Sequence, residues 1–289
     1  MPDRRVSPGI RERLRAIRGF VFDMDGTLVL GDRRNHGLRP LPGAIGITDR
    51  LGERGVPYVV VTNGTTRTPQ EYARTLREIG FDIEDDEVIT PATSAVDVFA
   101  RQRHRRVLVL GNEGLIHPLW AAGIEVVAPT GRPTADAVLV GWYPEFTMPA
   151  LESACHAVWN GAALYSCSQS MFFATAEGRA LGTSRAISAM IMSVTECEVE
   201  IVGKPSLHAL RCAADRLGMS MRDLAVVGDD PELEVPMAHR GDSLAIAVST
   251  GIGGADAFAG LPEGIRPHLR LEGVDDLLSL LPPTAPPAR

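Results

Sequence analysis

The 289-residue sequence contains no apolar run approaching the roughly 18 residues that a membrane span needs. Its first stretch, Met1 to Arg18, is polar and basic and lacks the apolar centre of a secretion signal, so a cytoplasmic location is expected. Cysteine is sparse. Cys155, Cys167, Cys197 and Cys212 are scattered, with no C-x-x-C spacing, and are expected to be reduced thiols rather than a disulfide framework. A surplus of positive charge is also missing: 29 Lys and Arg face 36 Asp and Glu, a formal charge of -7. That balance argues against a nucleic-acid footprint, and it means that any anionic ligand must be held by local groups against the overall field. There is no internal repeat and no low-complexity segment apart from 282–289, where four prolines in eight residues predict a disordered tail.

What is present is ordinary for a soluble enzyme, with 45% hydrophobic and 22% charged residues and length enough for two domains. The chain is organised around Gly19-Phe20-Val21-Phe22, which runs straight into Asp23-Met24-Asp25 and then Gly26-Thr27. An apolar run without alternation predicts a strand buried on both faces, as in a parallel sheet. Ligand sites in such sheets lie beyond the carboxyl ends of the strands, which is where Asp23 falls. Two carboxylates two residues apart at a strand tip repel each other, so the site should hold a cation or share a proton.

The rest follows an α/β rhythm. Helices are expected at 11–18, 44–54 and 69–79, with a second strand at 56–61, and the turn-rich 29–42 stretch predicts a small flap over the site. From about Ile89 the alternation restarts, with strands at 107–110, 124–127, 137–140 and 163–166 and helices between them, as an inserted unit would. A helix at 182–195 follows, with Met190 and Met192 as core filling, then strands at 198–202, 224–227 and 244–248 and a closing helix at 274–281.

Three further strand ends carry polar groups. Thr62 offers a hydroxyl, with amide donors from Asn63 and Gly64; Lys204 offers a fixed positive charge beside a helix start; Asp229 offers another carboxylate. Each is a common turn on its own. Four in this order, each at the end of a separate apolar strand, are hard to explain by turns.

The Asp23-Met24-Asp25-Gly26-Thr27 run resembles motif I of the haloacid dehalogenase superfamily of phosphohydrolases, and the later tips match that superfamily's order. The resemblance implies Asp23 as nucleophile, Asp25 as general acid and base, Mg2+ as cofactor held by Asp23, Asp25 and Asp229, and Thr62 and Lys204 holding the phosphoryl oxygens. Gly26, Thr27, Asn63 and Gly64 are expected to supply phosphate contacts. Only 37 residues separate Asp25 from Thr62 (62 − 25 = 37), too few for a cap there, whereas 142 separate Thr62 from Lys204 (204 − 62 = 142). A cap in that second position resembles subfamily IIA, which includes 4-nitrophenylphosphatases, the N-acetylglucosamine-operon phosphatase and phosphoglycolate phosphatases. The resemblance runs from about Phe20 to Leu281. The implied fold is a Rossmann-like parallel-sheet core, 1–90 and 183–289, with an inserted α/β cap of the C2 type over 91–182.

Two stretches depart from the subfamily pattern. Glu234 stands where a second Asp is usual, with Leu233 in place of Thr, and Asp230 is either an outer partner of the site or a turn residue. In the cap, Ser166-Cys167-Ser168-Gln169-Ser170 replaces a Thr-Asn-x-Asp segment. That loop, through Gln169, and Trp142-Tyr143-Pro144 are expected to face the site and choose the leaving group; Trp142 and Tyr143 are equally candidates for cap core. Neutral Ser and Gln there tilt the expectation toward an uncharged or bulkier leaving group. The expected activity is hydrolysis of a small phosphorylated metabolite, without nucleic-acid or membrane partners, and homodimerisation through the cap is common among relatives. A phosphomutase of the same superfamily and a non-catalytic binding module with this fold are the alternatives; mutases such as the β-phosphoglucomutases carry their cap after motif I.

Overall fold

The computed structural model describes residues 6–281 except 33, 35 and 253, so the expected tail at 282–289 lies outside the described residues. Two parallel sheets organise the chain. The core sheet has six strands in the order Leu269–Leu271, Leu244–Val248, Leu224–Gly228, Gly19–Asp23, Tyr58–Val61 and Val88–Ile89, all parallel. Gly19–Asp23 is central, pairing Phe20 with Ala225 on one side and with Tyr58 on the other. Its apolar run does not alternate because both faces are covered. Phe20 and Phe22 enter one hydrophobic cluster with Leu51, Tyr72 and Leu76, while Val21 enters another with Leu210, Val226 and Met237.

The second sheet, which forms the cap, has five parallel strands in the order Val199–Ile201, Ala163–Ser166, Ala137–Val140, Arg106–Leu110 and Glu125–Val127. It too is covered on both faces: Val107 and Val109 point to one cluster, Leu108 and Leu110 to the other. The expected boundary at Gly182 needs correction. Helix Thr183–Thr195 packs its Ile187 and Ile191 into the cap cluster with Leu151 and Ala154, and strand Val199–Ile201 pairs with Ala163–Ser166. The cap therefore runs on to Ile201, and Lys204 leaves the edge of the cap sheet, not a core strand. A three-residue strand reads the same in either sheet, which is why sequence alone misplaced it.

Two small antiparallel pairs lie outside the sheets. Val29–Leu30 pairs with Arg39–Pro40 within the turn-rich stretch expected as a flap. Phe172–Thr175 with Gly178–Leu181 forms a hairpin that the sequence reading did not anticipate. The hairpin reaches the core flap through Ala176 N–H, which donates to the Gly31 carbonyl at 2.8 Å. Among the described residues no helix is long and apolar enough to cross a membrane.

Candidate active site

The carboxyl ends of the core strands face the cap and line a cavity between the two. Asp23 ends the central strand. Beyond it the chain turns sharply: Leu28 and Val29 amides both donate to the Met24 carbonyl at 3.0 Å, and Gly26 takes a φ of +93° that glycine adopts without strain. The turn brings Thr27 back over the strand end, where its hydroxyl donates to Asp23 Oδ2 at 3.0 Å. The other oxygen, Oδ1, is in contact with Lys204 Nζ.

Lys204 is almost wholly buried, at 2% exposure. Its backbone is pinned by Asn63, whose Oδ1 accepts from Lys204 N–H at 2.8 Å and whose Nδ2 donates to the Lys204 carbonyl at 2.9 Å. The same Nδ2 donates to Ser168 Oγ at 3.0 Å, tying core and cap together at one side chain. A second carboxylate meets the lysine: Glu234 Oε1 lies 2.8 Å from Nζ, placed for an ion pair more than for an aligned hydrogen bond. Its Oε2 accepts from Asp230 N–H at 3.1 Å. Gly228 makes room for this approach, since a Cβ there would run into the Glu234 side chain.

Asp229 follows on the neighbouring strand tip, where its Oδ2 accepts from Ile252 N–H at 2.6 Å. Two glycines cradle it. A Cβ on Gly251 would collide with its carboxylate, and one on Gly26 would come within 2.6 Å of Oδ2. Burial, reinforced by the charges of Asp23 and Glu234, holds Asp229 well above the usual carboxylate range. Burial likewise raises Asp230. Glu234 is pushed up to about 7, by burial first; Lys204 opposes the rise, and Asp23 and Asp230 add to it. For Lys204 burial acts downward, but Asp23 and Glu234 together outweigh it and keep the ammonium charged beyond the ordinary lysine range.

The expected site residues thus separate into those that face the cavity and those that build it. Asp23, Asp25, Asn63, Gly64, Trp142, Lys204 and Asp229 line the cavity, joined by Asp230 and Glu234. Thr62 does not: its hydroxyl accepts from Gly64 N–H at 2.9 Å and donates to Asp25 Oδ2 at 3.3 Å, orienting the second aspartate. Thr27 grips Asp23 through its hydroxyl, Gly26 serves the turn, and the side-chain amide of Asn63 bonds Lys204 and Ser168. Gln169 is a correction. Ser168 and Ser170 line the cavity and Gln169 between them does not; its backbone carbonyl accepts from Arg185 at 3.1 Å. The two aromatics also divide. Trp142 lines the cavity, its backbone N–H donating to Thr65 Oγ1 at 3.0 Å, whereas Tyr143 packs against the cap core.

Sequence reasoning missed the Glu234 contact with Lys204, the Gly251–Ile252 loop on Asp229 and the hairpin aromatics Phe172 and Phe173. For the loop there was a signal, a fifth strand tip ending in Ser249-Thr250-Gly251.

Comparison with known proteins agrees with this architecture. Residues 20–125 match a family model for haloacid dehalogenase-like hydrolases, and residues 201–277 match a second, HAD-hydrolase-like model. The acid sugar phosphatase of Staphylococcus epidermidis is 28% identical, aligned over 81% of this chain and 86% of its own. Chronophin of Rattus norvegicus is also 28% identical, over 96% of this chain and 92% of its own. The solved structure of a p-nitrophenyl phosphatase from Archaeoglobus fulgidus superposes with a TM-score of 0.80 at 26% identity, covering 92% of this chain and 99% of that one. With both halves of the core matched by such models, and the strand tips bearing Asp23, Asp25, Lys204 and Asp229 around one cavity, the chain belongs to the haloacid dehalogenase-like hydrolases.

Proposed function

We propose that this hydrolase is a Mg2+-dependent phosphatase that cleaves a small phosphate monoester through an aspartyl-phosphate on Asp23. The observation that carries the reading is the state of Asp23: a carboxylate at the central strand tip, gripped by Thr27 and Lys204, yet lining the cavity. A side chain held by two fixed donors is preorganised to attack along one line.

The residues fit a hard divalent cation. Asp23, Asp229, Asp230 and Glu234 are buried together with one ammonium between them, and burial first, with the neighbouring carboxylates adding to it, pushes Asp229 and Glu234 up. The glycine cradle leaves Asp229 no side-chain neighbour on the Gly26 and Gly251 side. No cluster of three His, Cys, Asp or Glu side chains fit to hold a metal occurs among the described residues; two carboxylates with a backbone carbonyl satisfy magnesium without one. Asp23, Asp229 and the Asp25 carbonyl would hold the ion, which when bound offsets the charge of the phosphate dianion.

The chain's own groups supply the steps. Asp23 forms an oxygen–phosphorus bond as the ester oxygen–phosphorus bond breaks, and protonated Asp25, oriented by Thr62, gives its proton to the leaving alkoxide. Asp25 then takes a proton from water, whose oxygen attacks phosphorus and restores the Asp23 carboxylate with release of phosphate. Lys204 faces the phosphoryl oxygens throughout and balances charge that moves onto them. Phosphate release from 4-nitrophenyl phosphate tests this: it should depend on magnesium and vanish in Asp23→Asn. Release that survives that substitution, or an inert native protein, would overturn the reading.

A further inference from the structure

The cavity has two chemically distinct halves, and the outer one bears on what the leaving group is. Its inner half, on the core strand tips, is charged, whereas its outer half, on the cap, carries Trp142, Phe172, Phe173 and Ala174. Trp142 meets Phe173 edge-on, with ring centroids 6.4 Å apart. The hairpin carrying the two phenylalanines is strapped to the core at both ends of its turn, by Ala176 N–H on the Gly31 carbonyl and by Arg179 on the Ile252 carbonyl at 3.4 Å. These two bonds tie the hairpin to the core.

Charge in the lining is one-sided. Among the described residues five carboxylates line the cavity, Asp23, Asp25, Asp229, Asp230 and Glu234, against one cation, Lys204, which is already paired twice. Arg179 is near, but its guanidinium covers the Phe172 ring at 5.7 Å and does not line the cavity. The remaining polar lining is neutral: Thr65 accepts from the Trp142 backbone N–H, Thr66 pairs with Tyr72, Ser168 accepts from Asn63 and donates to Ser170, and Ser184 lies beside them, so none of these hydroxyls offsets a charge.

We infer that this outer half selects an uncharged, apolar leaving group and rejects one that carries a carboxylate. The inference rests on the phosphatase reading and narrows its substrate class. An apolar group removes both itself and three aromatic faces from water. A carboxylate placed there would be a second anion with no counter-cation, facing acids that already crowd one another.

Two isosteric esters of primary alcohols isolate the effect: 3-methylbutyl phosphate, and the phosphate ester of 3-hydroxypropanoate, in which a carboxylate replaces the isopropyl end. Each is used to compete with 4-nitrophenyl phosphate. The apolar ester should compete at least about tenfold more tightly. Phe173→Ala should narrow that ratio, Phe173→Leu should largely preserve it, and Phe173→Arg, which supplies the missing cation, should shift it toward the carboxylate ester. Equal competition by the two esters, or tighter competition by the carboxylate ester, overturns the inference while leaving the phosphatase reading intact. Absence of 4-nitrophenyl phosphate turnover would bring down both.

Discussion

Core and cap are built on the same plan, a parallel sheet with helices on both faces, yet their facing edges differ in kind. The core edge presents Asp23, Asp25, Asp229 and Asp230 at its strand tips; the cap edge presents Gly111, Gly141, Trp142, Ser168 and Ser170. Parallel strands buried on both faces must be apolar along their length, so sheet formation leaves only the residues just past each strand free to differ. The core used that freedom for charge and the cap for neutral and aromatic surface. Lys204 is the exception that joins them: a cation delivered from the edge strand of the cap into the acids of the core.

The sharpest way to break the comparison is to remove that cation. Lys204→Met should lower phosphate release by about 10²- to 10³-fold. It also leaves buried carboxylates unopposed, so the protein measured in chelator should lose about 3–5 kcal/mol of stability by urea denaturation. Should Lys204→Met be as stable and active as the native chain, the charged core edge would not depend on the cap as described.

A smaller effect is expected from filling the core's glycine cradle. Gly251→Ala puts a Cβ into Asp229, and the loop must shift, costing about 1–3 kcal/mol and weakening the magnesium dependence of activity. On the cap side, Ser168→Ala removes only neutral hydrogen bonds and should cost about 1 kcal/mol or less.

The opposite, amino-terminal edge of the core sheet offers a charge test remote from the site. His268 precedes strand Leu269–Leu271, and its Nδ1 accepts from Ala245 N–H at 2.9 Å, so the ring is held neutral. Burial first, then the positive charges of Arg13 and His239, push it down to about 4. The unfolded chain protonates its histidine near 6.5, so between those values the unfolded state binds the extra proton. The stability this residue contributes is present above about pH 6.5 and is lost as pH falls toward 4. After allowance for solvent screening the change is about 1–2 kcal/mol. Between pH 7 and pH 5 the native chain should therefore lose more stability, or gain less, than His268→Gln does, by about that amount in urea midpoints compared at the two pH values.

Much of the core edge was legible in the sequence because each functional group follows an apolar run that can only be a buried strand. Asp23 after Phe20-Val21-Phe22 and Asp229 after Ala225-Val226-Val227 are of this kind. What escaped depends on contacts through space. Glu234 reaches Lys204 only because a helix starting at Glu234 folds back over Gly228. The Phe172–Leu181 hairpin has no Gly-Asn or Asn-Gly turn to announce it, turning instead at Ala176-Glu177. Thr62 was expected as a hydroxyl and Thr27 as part of a phosphate-holding loop; the partners of their hydroxyls, Asp25 and Asp23, are set by the turn geometry and not by spacing.

The most direct test asks whether Asp23 itself becomes phosphorylated. Protein mixed briefly with 4-nitrophenyl phosphate and magnesium, quenched and treated with borohydride, converts any aspartyl-phosphate to homoserine, which peptide mass spectrometry locates. Homoserine at position 23, appearing only after exposure to substrate, is the predicted result. Conversion at another carboxylate, or none in a protein that is turning over, would contradict the account.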